Sequence, residues 1–500
     1  MKRQCMRLLF MAALALGMTG ASWAAGTLTV AIGSSLNTLD PNVVRIGEEY
    51  VFNGLVYSGL VRLDANGEPQ PDLATRWSTS PDLKKWTFEL RHGVKFHSGR
   101  EMEAADVVAM VKRVLDKATG STARGNLAMV SDVSANGKYT VEFTLSQPYA
   151  GFADLFAEHQ MKVAPREAFA TLATKPDGTG PFKFESYTPG DRVVLVRNPD
   201  YYVKGEPKLD KVVLRIIPET AAQVVALRTG EIDLAWNVPP EMVSLLKSEP
   251  SIAIDTVATG AWDGLIMNNT SKPFNDPRVR KAVATALDKQ ALVDAVLLGR
   301  GTVTLSPIPA SSQYFNSDIK PSRADPAAAK KLLAEAGYPD GFETTLYLPI
   351  GRPTRERLGI VASEALKAAG IKVNLQRVPW DQFNKEIEGK APFYADGFFS
   401  RSTVDTALYP FYHSSGNWNE GLWHYKNAEV DRLLDQARAT ADPAERIKLY
   451  KQFQAAIQVD VPSVIAYNVN HTNAVNKKVH GFKSSPLLLL NLAPVSIGQP

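Results

Sequence analysis

Thiol chemistry is almost absent from this sequence, because its single cysteine, Cys5, stands within the first few residues. Lys2, Arg3 and Arg7 form a basic start, residues 8–18 are a short apolar run, and Ser22-Trp23-Ala24 is a small-x-small cleavage signal. Residues 1–24 therefore read as a secretory signal peptide cut after Ala24. A lipoprotein cysteine would follow the apolar run, whereas Cys5 precedes it, so no lipid anchor is expected. Cleavage would leave 476 residues without a thiol. Disulfides, cysteine nucleophiles and thiolate metal sites are then excluded together. No apolar run approaches the roughly 20 residues of a membrane-spanning helix. Charge of one sign is also scarce. The net charge is +4, falling to +1 without the leader, and no basic stripe suggests nucleic acid as a partner.

Catalytic signatures are missing as well. There is no G-x-S-x-G elbow, Walker loop, G-x-G-x-x-G or H-E-x-x-H. None of the seven histidines has the helical i, i+4 spacing of a zinc motif. Only His413 and His424, which share one polar segment, merit attention as metal ligands. The reading is of a protein with no catalytic residues, no cofactor and no metal.

What is present is a globular composition, 45% hydrophobic and 22% charged, long enough for two or three lobes. Residues 27–32, 86–90 and 139–145 alternate with the period of half-buried strands, and residues 104–115 have helical spacing. A hairpin is expected over residues 182–197, turning at Pro189-Gly190. Three helices should open on an Asp N-cap followed by Pro, at Asp276, Asp325 and Asp442. The first is expected to run to about Leu298. Strand, helix and strand then follow over residues 343–378, the grammar of an α/β lobe. Of the seven tryptophans beyond the leader, Trp77 and Trp86 suit core packing. Trp418 and Trp423 fall in SSGNWNEGLW (414–423), a segment that reads as a polar loop suited to covering a ligand.

Ten short stretches carry a resemblance when taken in order. They are LDP (39–41), NGLVY (53–57), PDLA (71–74), WTFELR (86–91), GVKFH (93–97), AADVV (104–108), GTGPF (178–182), RNPDYY (197–202), GEID (230–233) and DPRVRKAVATA (276–286). Together the sequence resembles the dipeptide/oligopeptide/nickel class of solute-binding proteins, family 5 of the receptors of ABC importers. The resemblance implies an α/β, periplasmic-binding-protein-like two-lobed flytrap of class II type, with an extra subdomain inserted in lobe I. Lobe I would span residues 25–262, with the inserted part at about 45–185. Lobe II would span 263–470, and residues 471–500 would return to lobe I. Two crossing segments, 262–269 and 465–472, would be the hinge. It further implies a monomeric periplasmic receptor that encloses a di- or oligopeptide, or a related polar solute, and delivers it to an inner-membrane permease.

A zwitterionic peptide needs a partner at each buried end. Arg352, in the stretch Gly351-Arg352-Pro353 that resembles the family's carboxylate-binding segment, is expected to hold the carboxylate as a planar fork. The family's pattern for the ammonium end, G-W-x-x-D-x-x-D-P, falls without gaps on residues 398–406. There Ser402 replaces the first Asp, Asp405 matches the second, and Thr406 replaces Pro. Either Asp405 takes over or the ligand lacks an ammonium at that point, and Arg401 beside it suits an anionic group. Trp262, Trp418, Trp423, Ser34 and Ser35 complete the expected ligand set. The alternatives are a metal chelate, haem or opine-like conjugate on the same fold, or an exported hydrolase.

Overall fold

A computed structural model describes residues 26–64, 68–321 and 323–498. The expected signal peptide and Cys5 lie outside the described residues. Three sheets organise the molecule. The first has seven strands in the order Ile252–Val257, His471–Asn476, Leu234–Ala235, Thr27–Ile32, Lys211–Ile216, Arg192–Arg197 and Phe182–Thr188. Thr27–Ile32 runs parallel to both its neighbours. Its side chains from Leu28 onward are buried on both faces apart from Thr29, as a central strand requires. The expected hairpin is its outer edge, with Gly190 supplying the positive φ of 78° at the turn.

The second sheet carries four antiparallel strands, Ala74–Thr79, Lys85–Leu90, Thr140–Leu145 and Val130–Ala135. The alternation read from WTFEL and TVEFTL is real. Trp86, Phe88 and Leu90 point inward with Val141, Phe143 and Leu145, and helix Ala104–Leu115 packs on that face. Close approach explains the glycines of GTGPF. A Cβ on Gly178 would lie 2.1 Å from the Val56 carbonyl oxygen, at the end of helix Gly47–Val56.

The third sheet has six strands, Gly301–Thr302, Ser463–Val469, Trp262–Met267, Phe393–Phe398, Phe342–Ile350 and Ile371–Pro379. The Asp-Pro devices open helices Pro277–Thr285, Pro326–Glu335 and Pro443–Asp460, and each aspartate accepts hydrogen bonds from backbone N–H groups of the first turn. The first of these helices is shorter than its apolar spacing suggests. It stops at Thr285, and Asp288 caps a second helix, Lys289–Leu297, by accepting from the Ala291 N–H at 3.0 Å. A new cap outcompetes helix continuation where the side chain can satisfy the next turn's donors.

The chain crosses between the first and third sheets twice, from Ile252–Val257 into Trp262–Met267 and from Ser463–Val469 into His471–Asn476. The two crossings are bonded to each other. The Val469 N–H donates to the Ala261 carbonyl at 2.8 Å, and the Thr259 hydroxyl donates to the Val469 carbonyl at 2.6 Å.

Candidate functional site

The third-sheet lobe meets the rest of the molecule across a seam bridged by hydrogen bonds and ion pairs. From the four-stranded side, the Tyr149 hydroxyl donates to Asp405 Oδ2 at 2.7 Å and the Ala150 N–H donates to the Arg438 carbonyl at 2.7 Å. The Ser402 hydroxyl reaches Glu158 Oε1 at 2.5 Å, with both residues buried. Gln313 bridges to Glu68 at 2.7 Å, and Arg357 pairs with Glu241. Beneath these contacts lies a cavity of about 660 Å³, within the usual range for small-ligand sites. Its wall takes Tyr149, Asp154 and Lys162 from one side and Arg401, Ser402 and Arg446 from the other.

Ser402 and Asp405 sit where a strand ends and a helix begins. Phe393–Phe398 leaves the sheet, residues 399–403 form the loop, and Thr403 caps helix Val404–Tyr412 by accepting from the Thr406 N–H at 3.0 Å. Asp405 therefore occupies the first helical turn and points across it to Arg438. The Arg438 guanidinium grips both its oxygens at 2.8 Å. With the Tyr149 hydroxyl as a third donor, this carboxylate is already satisfied and does not present a free counter-charge. Burial and the Asp405 charge act oppositely on Arg438, and the carboxylate wins, holding the guanidinium above its ordinary value.

The tryptophans divide. Trp423 is not in a loop over a ligand. Residues 417–422 form a helix, and Trp423, at 0% exposure, donates its indole N–H to the Phe411 carbonyl. The helix holds because the buried Asn419 side chain ties it back, donating to the His413 and Tyr425 carbonyls at 2.9 and 2.7 Å. Trp262 is equally buried in its strand, its ring 6.1 Å from that of Trp423. Trp418 is half-buried, stacked on Phe411 at 5.9 Å, and the Arg401 guanidinium lies over both rings. The Arg401 Nε is buried without a hydrogen-bond partner among the described residues.

Ser35 is turned away from the seam, its hydroxyl accepting from the Gly190 N–H at 2.9 Å to fix the hairpin. Ser34 bonds Glu48 at the start of helix Gly47–Val56, and burial raises the Glu48 carboxyl above its ordinary value. Glu48 in turn feels the charge of Arg352 from the opposite lobe. Arg352 is the N-cap of helix Pro353–Ala368, exposed, with its guanidinium 4.2 Å from the centre of the Trp380 ring. Its side chain makes no hydrogen bond among the described residues and is outside the 660 Å³ cavity wall. Arg355, one turn on, is committed to Asp263, Asp396 and the Gly397 carbonyl.

Burial dominates the seam's ionisable groups. His159 stacks on Tyr50 at 3.9 Å, and burial, with Lys162 and Arg401 nearby, drives its pKa down to about 3, so it is neutral. Burial also lowers Lys162, against the pull of Asp72 and Glu158, and raises Asp154 to about 7. Of the two histidines singled out for metal binding, His413 has Asp435 at 3.4 Å and Asp431 at 3.9 Å beside its Nε2. His413 stacks on Tyr409 at 4.2 Å, and His424 Nε2 meets the Gly389 carbonyl at 3.0 Å. Among the described residues no three His, Cys, Asp or Glu converge on a cation site.

Tyr149, Glu158, Arg438 and Glu48 were not legible as site residues. Their partners lie far away in sequence or across the cleft, and no local pattern marks them.

The sequence from residue 68 to 419 matches the model of bacterial extracellular solute-binding proteins, family 5. The chain is 31% identical over 483 residues to the glutathione-binding protein GsiB of Escherichia coli K12, covering 94% of each. Among solved structures it is similar to AgaA of A. tumefaciens R10 in complex with agropinic acid, at 29% identity and a TM-score of 0.83, covering 95% of this chain and 99% of that one. DppA of Helicobacter pylori in complex with the peptide STSA gives the same identity and TM-score, covering 95% and 98%.

Proposed function

The chain belongs to the bacterial extracellular solute-binding proteins of family 5, the solute receptors of ABC importers, and from that premise we propose which solute it takes and how. The ligand is a short peptide or peptide-like zwitterion, held between the lobes and released to an inner-membrane permease. One observation carries this reading: the seam buries charged and polar groups from both lobes against each other around a cavity of 660 Å³. Such groups are costly to bury unless something answers them. Closure and ligand capture are therefore one event, in which the ligand's differential contacts select the closed form.

Arg352, which stands outside the 660 Å³ cavity wall, would anchor the carboxylate of a ligand that reaches beyond that cavity. Its guanidinium has no hydrogen bond to give up among the described residues, Trp380 braces its face, and its five donors suit a planar carboxylate. Ser34 and Glu48 stand opposite on lobe I. The relatives that bind glutathione, agropinic acid and a tetrapeptide share a chemistry of carboxylates on a compact polar frame, which this arrangement fits. The protein is a periplasmic monomer processed after Ala24, and it has no catalytic role.

Calorimetry on the mature protein with a panel of short peptides tests the reading, paired with mass spectrometry of whatever is retained through purification. Stoichiometric binding of an intact peptide with no product released is expected. Retention of a metal complex instead, or cleavage of the peptide, would overturn it.

A further inference from the structure

The third-sheet lobe holds a second cavity, of about 190 Å³, that shares no wall residue with the 660 Å³ one. It lies among helices Pro277–Thr285, Lys289–Leu297 and Pro443–Asp460 and the start of strand Ser463–Val469. Much of the wall is aliphatic, with Leu287, Leu305 and Ile457 among its side chains. Its charges are all of one sign. Lys281, Lys289 and Lys320 reach the wall, no aspartate or glutamate does, and none of the three lysines is in an ion pair among the described residues.

Lys289 is the most buried of them, at 6% exposure, whereas Lys281 is half-buried and Lys320 exposed. Its ammonium donates to the Ile465 carbonyl and to no other group among the described residues, so two of its three donors are unused. Burial alone pushes its pKa down to about 7, with no neighbouring charge opposing the shift. Arg280, on the preceding helix, shows how this lobe otherwise treats a buried cation. That guanidinium, 4% exposed, is answered by the Asp460 carboxylate at 3.5 Å and by the carbonyls of Phe274, Asp460 and Val461. A buried charge is costly without such partners, and Lys289 lacks them.

A second polar group on the same wall is also unanswered. Ser463 is 9% exposed, and its hydroxyl makes no hydrogen bond of good geometry among the described residues, its polar neighbour being the Tyr412 hydroxyl. Burial holds the Tyr412 phenol well above its ordinary value, so it stays protonated and neutral. The spare ammonium protons and the spare hydroxyl suit the two oxygens of a carboxylate. A phosphate or sulfate would bring more oxygens than these groups answer and would turn the rest toward aliphatic side chains. A short alkyl chain would bury favourably there.

We infer that this cavity is a second binding site, for a small aliphatic carboxylate held by Lys289 and Ser463. Lys281, which spends one donor on the Gln458 carbonyl at 2.7 Å, and Lys320 add positive charge that favours the anion's entry. The site is separate from the cleft between the lobes and does not depend on which solute the cleft takes.

Calorimetry of the mature protein with butyrate as the probe tests the inference, beside butyramide, which has the same shape without the charge. Butyrate should bind saturably, and butyramide roughly tenfold more weakly or not at all. Lys289→Met and Ser463→Ala should each weaken butyrate roughly tenfold, while Arg352→Ala, on the far side of the lobe's contacts with the cleft, should leave it unchanged. Ser463→Ala removes a hydroxyl that makes no well-formed bond, so it keeps the test decisive if Lys289→Met fails to fold. The inference is overturned if butyrate does not bind saturably, if butyramide binds as well, or if Ser463→Ala binds butyrate like wild type. Loss of butyrate binding in Arg352→Ala overturns it too, since the probe would then be in the cleft.

Discussion

Replacing Asp405 by Asn distinguishes a ligand anchor from an internal brace. The carboxylate receives two bonds from Arg438 at 2.8 Å and one from Tyr149 at 2.7 Å, and the side chains of the pair are only 5% and 11% exposed. Asn keeps the shape but turns one acceptor into a donor facing the guanidinium, so Arg438 becomes a buried cation without a counter-charge. Breaking one side of such a pair costs about 3–5 kcal/mol. Because both residues belong to the same lobe, the loss falls on that lobe's folding, with or without ligand. Tyr149→Phe removes only the bond across the seam, where the open form gives the hydroxyl to water. A hydrogen bond to a charged group contributes about 1.5–3 kcal/mol, which here appears as a roughly 10- to 100-fold loss of ligand affinity at nearly unchanged stability. Thermal denaturation and calorimetry of the two variants should therefore separate: a large fall in melting temperature for Asp405→Asn, a large fall in affinity for Tyr149→Phe. The reasoning is refuted if Asp405→Asn melts like wild type while losing only ligands with a free amino group.

Four further outcomes are expected. Ser402→Asp places a second carboxylate against Glu158 in the closed seam, so affinity should fall, by calorimetry. Arg352→Ala should weaken carboxylate ligands by about 2–5 kcal/mol, with Arg352→Lys also weaker than wild type and a C-amidated ligand indifferent to either change. Asp154, raised by burial to about 7 from an ordinary 3.8, takes up its proton more readily folded than unfolded. Its contribution to stability is complete below about pH 4 and is lost as pH rises through 7, so the melting temperature of Asp154→Asn relative to wild type should rise from pH 5 to pH 8. Small-angle scattering should show a smaller radius of gyration at saturating ligand, and Tyr149→Phe should need more ligand to reach it.

Much of the scaffold was legible because its signals are local. An aspartate followed by proline caps a helix wherever the next turn's donors can reach it, and all three such sites do so. Alternation in WTFEL and TVEFTL reports burial on one face, which sheet packing preserves. Local signals failed where a long-range contact decided the outcome. SSGNWNEGLW is polar enough for a loop, yet Asn419 stitches it into a helix and Trp423 completes a core of Trp262, Phe411 and Tyr412. Asp405 carries the spacing of an anchor, but its partners are Arg438, 33 residues on, and Tyr149, 256 residues back. The break before Asp288 is an intermediate case. An Asp followed by Lys-Gln-Ala is an adequate cap, and the run of apolar positions through it masked the signal.

The two crossings between the lobes are not independent straps. Bonded through Thr259, Ala261 and Val469, they would bend together, as one flexure, if the lobes swing apart. An opening motion about these crossings would have fewer degrees of freedom than two separate straps allow. A permease reading such a receptor would then meet one linked change rather than two independent ones.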